Sequence, residues 1–285
     1  MPICESIAGI GRQGHLKLAF ERRGKQTVQT YASATSPWHV LPPSELDDSG
    51  CAYVWLVNTS GGLVGGDQVT MEATLASDSH VVMTTPSATR VYRTLDATVD
   101  LQIQLSVGSN ARLEWLPEVT IPFAGSKLRQ ALHVDLTEGA TALVWDAMAS
   151  GRVAREERWA FTSFENEIRI TTASGTSVLE RFRIEPDAMN SRRSLASEWD
   201  YVASAFVIGD GISSEVWAVL EETLAAMLDQ WPGLVLGGVS QSSIPGLAIK
   251  ILARSAPDLT AALEEVRRCV RLHLWQLPAV ALRRY

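Results

Sequence analysis

The side chains with chemistry to offer are carboxylates and hydroxyls, set beside glycine-exposed backbone. Val57-Asn-Thr-Ser-Gly-Gly-Leu-Val-Gly-Gly-Asp-Gln68 puts Gly61, Gly62, Gly65 and Gly66 ahead of Asp67. Glycine at that density permits positive φ and close backbone approach. A phosphate loop would need a following Gly-Lys-Ser/Thr and a helix N-terminus. Neither is there, because the next segment alternates like a strand. Two readings stay open: a tight bulged turn joining two strands, or a shaped loop that presents Asp67. Thr84-Thr-Pro-Ser-Ala-Thr-Arg-Val-Tyr-Arg93 is dense in hydroxyls and ends in two arginines, the composition of a loop, an anion site or a polar wall. Trp145-Asp146, followed by Gly151-Arg-Val-Ala-Arg-Glu-Glu157, mixes carboxylates with guanidiniums, by default a salt-bridged surface.

Tight metal binding has no local signature. Cys4, Cys51 and Cys269 are far apart, the five histidines are scattered, and no CxxC or HxxxH pair occurs. Paired carboxylates on a β scaffold would suit a glycosidase-like hydrolase with stacking aromatics. The nine tryptophans, however, are spread evenly and most sit in apolar runs, as core residues do. No G-x-S-x-G elbow marks a serine hydrolase.

The elements that must position these residues change character along the chain. Up to about residue 185 the period is two. Val99-Asp-Leu-Gln-Ile-Gln-Leu-Ser-Val107 is apolar at every odd position and stops at Gly108-Ser109-Asn110. Leu16–Phe20, Val69–Leu75 and Leu132–Leu136 read alike. Many short strands with turns between them predict an antiparallel all-β body, and no fixed repeat announces a solenoid. The last third switches to helical spacing. Val216, Trp217, Leu220, Leu224, Met227 and Leu228 follow a Ser213-Ser214 cap and precede Pro232-Gly233. A second helix starts at Ser255 and carries Leu259, Leu263, Val266, Val270 and Leu274, with Pro278 as its stop. Glu264, Glu265, Arg267, Arg268 and Arg271 are expected on its solvated face.

Composition sets the outer limits. The chain has 285 residues, 32 acidic against 25 basic, and a net charge of −7. That balance argues against nucleic acid as a partner. The N-terminus lacks signal-peptide form, and no apolar run approaches membrane-spanning length. A cytoplasmic location is expected.

In chain order, GGLVGGD, TTPSATRVYR, WLPEVTIPF, LVWDAMASGRVAREE and LERFRIEP resemble the urease accessory protein family UreD, also called UreH. The likeness covers roughly residues 11 to 185, and GHLKLAFERRGKQT is similar to the family's opening. It implies a mainly β protein with a β-helical, multi-stranded body and about two C-terminal helices. The expected organisation is one domain over 1–285, with the β body over about 11–210 and the helical part over about 211–285. It also implies no catalysis, and a chaperone role in nickel insertion with UreF, the GTPase UreG and the urease structural subunits. No cofactor is expected to bind tightly: Ni²⁺ would be transient, and any GTP would belong to UreG.

Carried over position by position, Asp67 matches the Asp ending the glycine motif. Asp146 stands where the family has a carboxylate before its Gly-Arg motif, and Glu180 matches the acid near the ERFR-like strand. Thr85 and Thr89 lie in the hydroxyl-rich motif. The chain departs from the family pattern at Val119, Ala124 and Glu156. Borderline cations bind weakly to single carboxylates, carbonyls and water, and transit needs stations weak enough to leave. Asp67, Asp146 and Glu180 are therefore expected to line a wet nickel passage walled by Thr85 and Thr89. The partner surface for UreF is expected at the end of the second helix and the tail, with Arg271, Trp275, Leu277 and Tyr285 as anchors.

Overall fold

The computed structural model describes residues 11–94, 96–189 and 198–282. Alternating apolar and polar positions build two facing sheets. The first contains β1 (Gln13–Arg23), β5 (Gln68–Leu75), β8 (Val99–Val107), β11 (Lys127–Leu136) and β13 (Ser163–Thr171), all parallel. Its edges are closed antiparallel by β2 (Gln26–Ala34) and β14 (Ser177–Ile184). The second sheet has a parallel run of β4 (Ala52–Asn58), β6 (His80–Thr84), β9 (Arg112–Leu116) and β12 (Thr141–Ala149). β3 (Trp38–Val40) pairs antiparallel at one end of that run. At the other end follow β15 (Tyr201–Gly209), β17 (Gly246–Ala253) and β16 (Val235–Gln241), also antiparallel.

Because the chain crosses from one sheet to the other at each step, the body is solenoid-like. Two short corner strands, β7 (Thr89–Val91) and β10 (Thr120–Pro122), pair with each other in parallel. The β-helical body implied by the family resemblance is present. The antiparallel body predicted from strand spacing is corrected: the spine is parallel and only its margins are antiparallel. Period two follows from a strand burying one face, whichever way its neighbour runs, so spacing alone could not tell these apart.

The coils stack in register, placing Leu16, Met71, Ile103, Leu132 and Ile168 in one row across the first sheet. Such rows fill the space between the sheets with apolar side chains. The outer face of the second sheet is covered by α1 (Ser214–Leu228) and α2 (Ala256–Trp275). Both helices start at the caps read from sequence; the Ser255 hydroxyl accepts from the Asp258 N–H. One expectation for α2 is overturned: Arg267 and Arg271 are fully buried.

Candidate functional site: a polar row between the sheets

The glycine loop carries the chain from β4 in one sheet to β5 in the other, so it is a solenoid corner. It packs against the next corner: the Leu63 N–H donates to the Arg90 carbonyl and the Tyr92 N–H to the Leu63 carbonyl, both at 2.8 Å. A Cβ at Gly62 would lie 2.6 Å from the Tyr92 ring and 2.7 Å from the Arg90 carbonyl oxygen, so no larger residue fits. Gly66 holds φ at +88°. Asp67 is fully buried and ties the loop shut. Its two oxygens accept from the backbone N–H groups of Arg12 and Val64, each at 2.9 Å.

Thr85, Thr89 and Asp146 come together. Two adjoining cavities of about 80 and 50 Å³ lie between the sheets and share Trp38, Thr85, Thr89 and Leu101 as walls. Gly61 and Gly62 line the first; Asp146, Gln130 and Asn166 line the second. Gln130 Nε2 and Asn166 Nδ2 donate to one oxygen of Asp146 at 3.0 and 3.1 Å, and to this extent satisfy its charge. Burial still pushes the Asp146 carboxyl up to about 7 against those amides. Thr85 is held too, its hydroxyl accepting from the Glu118 N–H at 2.9 Å.

Strand register extends this polar spot sideways. Asp146 on β12 stands opposite Ser204 on β15, and Ser204 stands opposite Lys250 on β17. All three face inward, since their neighbours Val144 and Phe206 belong to the inter-sheet core. Across the gap, Glu180 on β14 ends the Leu16–Ile168 row of the first sheet. The Ser204 hydroxyl donates to Glu180 at 2.6 Å and accepts from the Lys250 ammonium at 2.8 Å, while Lys250 also pairs directly with Glu180. Asp146 and Glu180 thus belong to one polar row with Ser204 between them, and Asp67 lies outside it. Ser204 and Lys250 were not singled out by sequence, because their roles come from register with β12.

A second charged cluster lies on the other side of the second sheet, under α2. Glu114 is fully buried. One of its oxygens receives His80 Nε2 at 2.9 Å and Arg271 Nη1 at 2.6 Å; the other receives Arg267 Nε at 2.7 Å. Burial alone would raise this carboxyl, but the His80 hydrogen bond and the two guanidiniums overcome it and hold it at about 2. Burial keeps His80 below the usual imidazole range, so its Nε2 carries the proton given to Glu114. Cys51, His80 and Glu114 offer ligand atoms within 4.8 Å of one another. Metal-ligand chemistry is nevertheless disfavoured. Two fixed cations saturate the carboxylate, and burial, with the Glu114 charge, drives the Cys51 thiol well above its ordinary range.

The same arginines hold the tail. Gln276 turns the chain at φ +54°, and the carbonyls of Pro278 and Val280 accept from Arg271 and Arg267, each at 2.7 Å. Of the anchors expected to meet a partner, Arg271 and Trp275 are buried within the chain and Leu277 is half-buried. Tyr285 lies outside the described residues. Sequence did hold a signal for this: Arg267 and Arg271 follow Leu263 at successive steps of four, beside the apolar stripe.

A family model described as UreD urease accessory protein matches residues 12–284. Among curated relatives, the urease accessory protein UreD of Delftia acidovorans is 32% identical over 95% of this chain and 92% of its own length. That of Deinococcus radiodurans is also 32% identical, over 96% of this chain and 95% of its own. The Herpetosiphon aurantiacus protein of the same name is 31% identical, over 87% and 88% respectively. Matched over nearly its whole length by the family model and by these relatives, the chain belongs to the UreD family of urease accessory proteins.

Proposed function

We propose that this protein serves urease maturation without catalysis of its own, acting in the cytoplasm with UreF and UreG on apo-urease to pass Ni²⁺ toward the urease active site. The observation that supports this reading is the inter-sheet cavity walled by Thr85, Thr89 and Asp146, beside which strand register sets Ser204 and its hydrogen-bonded partner Glu180. Its ligands are oxygen atoms of single carboxylates, amides and hydroxyls, a set that holds a borderline cation weakly. Size favours an ion as well. A cavity of about 50 Å³ clears the roughly 10–15 Å³ needed to admit one water and has room for about two at roughly 30 Å³ each. Pockets for organic substrates run to about 300–1,000 Å³, so a glycosidase-like reading gains nothing here. In this account Asp67 shapes the cavity mouth by fixing the glycine loop, and Asp146 and Glu180 meet the ion. Among the described residues no helix is long and apolar enough to cross a membrane.

The test is Asp146→Asn combined with Glu180→Gln, co-expressed with urease and its accessory proteins. The variant complex is expected to assemble on apo-urease and to leave urease under-loaded with nickel. Full nickel loading by the double variant would overturn the passage.

A further inference from the structure

We propose that Lys250 is a built-in counter-cation of the polar row, occupying at Glu180 the place a divalent ion takes in transit and yielding it when the ion arrives. The inference rests on the passage reading above and adds a residue to it. Glu180 is set into the gap between the sheets with its side chain 16% exposed, and a carboxylate so placed needs a positive partner. The neighbouring arginines do not supply one. Arg181 and Arg183 alternate onto the outer face of β14, where they pair with Glu167 and Glu165. Lys250, one of only four lysines in the chain, reaches Glu180 from the opposite sheet.

The geometry suits exchange. Lys250 and Ser204 together give Glu180 a contact on each oxygen, an ammonium on one and a hydroxyl on the other. Replacing the ammonium with a hydrated divalent ion keeps the carboxylate neutralised and leaves Ser204 in place. Lys250 can leave because its side chain is 53% exposed and hangs from a flexible four-carbon stem. Its ammonium lies 5.4 Å from the centre of the Phe206 ring, which supports it from the inner face. A lysine is apt here and an arginine is not: a bidentate guanidinium would clamp the carboxylate, whereas a point charge is readily displaced. The effect is to weaken the site on purpose, so that Glu180 cannot trap its cargo.

The experiment measures binding of Ni²⁺ alone to the full-length chain by equilibrium dialysis, with folding followed by circular dichroism. Lys250→Met removes the competing charge and keeps the stem, and is expected to bind Ni²⁺ roughly fivefold tighter, the scale of one partly exposed ion pair. The gain should vanish when Glu180→Gln is added. Lys250→Arg, which keeps the charge, should bind no tighter than the unaltered protein. Unchanged affinity in a folded Lys250→Met, a gain that survives Glu180→Gln, or tightening by Lys250→Arg would each overturn the assignment. The two readings fail separately. Normal nickel loading by Asp146→Asn with Glu180→Gln removes the passage itself. Impaired loading by that double variant, with no tightening by Lys250→Met, removes Lys250 alone.

Discussion

Asp146 is costly to the fold, and the cost depends on pH. Its folded carboxyl sits at about 7 against an ordinary 3.8. Below about pH 4 both folded and unfolded chains hold the proton. As pH rises from there to about 7, the unfolded chain releases it first, so stability falls through that window and levels off above it. Asp146→Asn cannot ionise and escapes this loss. Urea unfolding should therefore show the variant gaining on the unaltered protein between pH 4 and pH 8, by up to about 4 kcal/mol at 1.4 kcal/mol per unit. A stability difference that stays flat with pH would contradict this. A half-buried acid that lowers stability, in a protein whose proposed task is to move a cation, fits the common trade between stability and function. Glu114 is the opposite case. Its carboxyl, held at about 2, stabilises the fold above pH 4.5 and loses that contribution as pH falls toward 2.

At the scale of elements, α2 is locked onto the second sheet through Glu114, and the same lock seats the tail. Glu114→Gln would remove the carboxylate shared by Arg267 and Arg271, leaving them only their second partners, Glu264 at 3.7 Å and Asp47 at 2.7 Å. Breaking a buried pair in this way costs about 3–5 kcal/mol, so the urea midpoint should drop by a corresponding amount; a shift under about 1 kcal/mol would show that the cluster is not the clasp described. Element boundaries were legible in the sequence because caps and periodicity are local: Ser213, Ser255 and the alternation of Val99–Val107 act over a few residues. Parallel stacking was not, since it joins strands about 30 residues apart and leaves no trace in their spacing. The glycine corner shows the same divide. Four glycines announced a tight turn, but that Gly62 yields to Tyr92 of the next corner is a property of the stack. Thr85, Thr89 and Asp146 were nameable from motifs, while Ser204 and Lys250 became visible only through register. Arg267 and Arg271 were misplaced because a helix face rich in charge resembles a wet one until the acceptor beneath it is known.

For the whole molecule, the solenoid supplies two surfaces and an interior with different duties. Helices seal one sheet. The other turns outward a lattice of charged pairs in which His133 and Arg181 from the neighbouring strands and Arg169 from the same strand all meet Glu167. Such exposed pairs add little stability each. Among the described residues the apolar rows are interrupted by Gln130, Asn166, Asp146, Ser204 and Glu180, with the half-exposed Lys250 at the end, and polar groups so placed have to be maintained against their desolvation cost. We propose that this interruption is the cargo's route. The most direct test is to trap the accessory complex on apo-urease with Ni²⁺ supplied, then locate the metal by anomalous scattering at the nickel edge. Nickel is expected between the two sheets, beside Asp146 or Glu180. Nickel seated instead at Cys51, His80 and Glu114, or found on this chain solely outside the inter-sheet cavity, would contradict it.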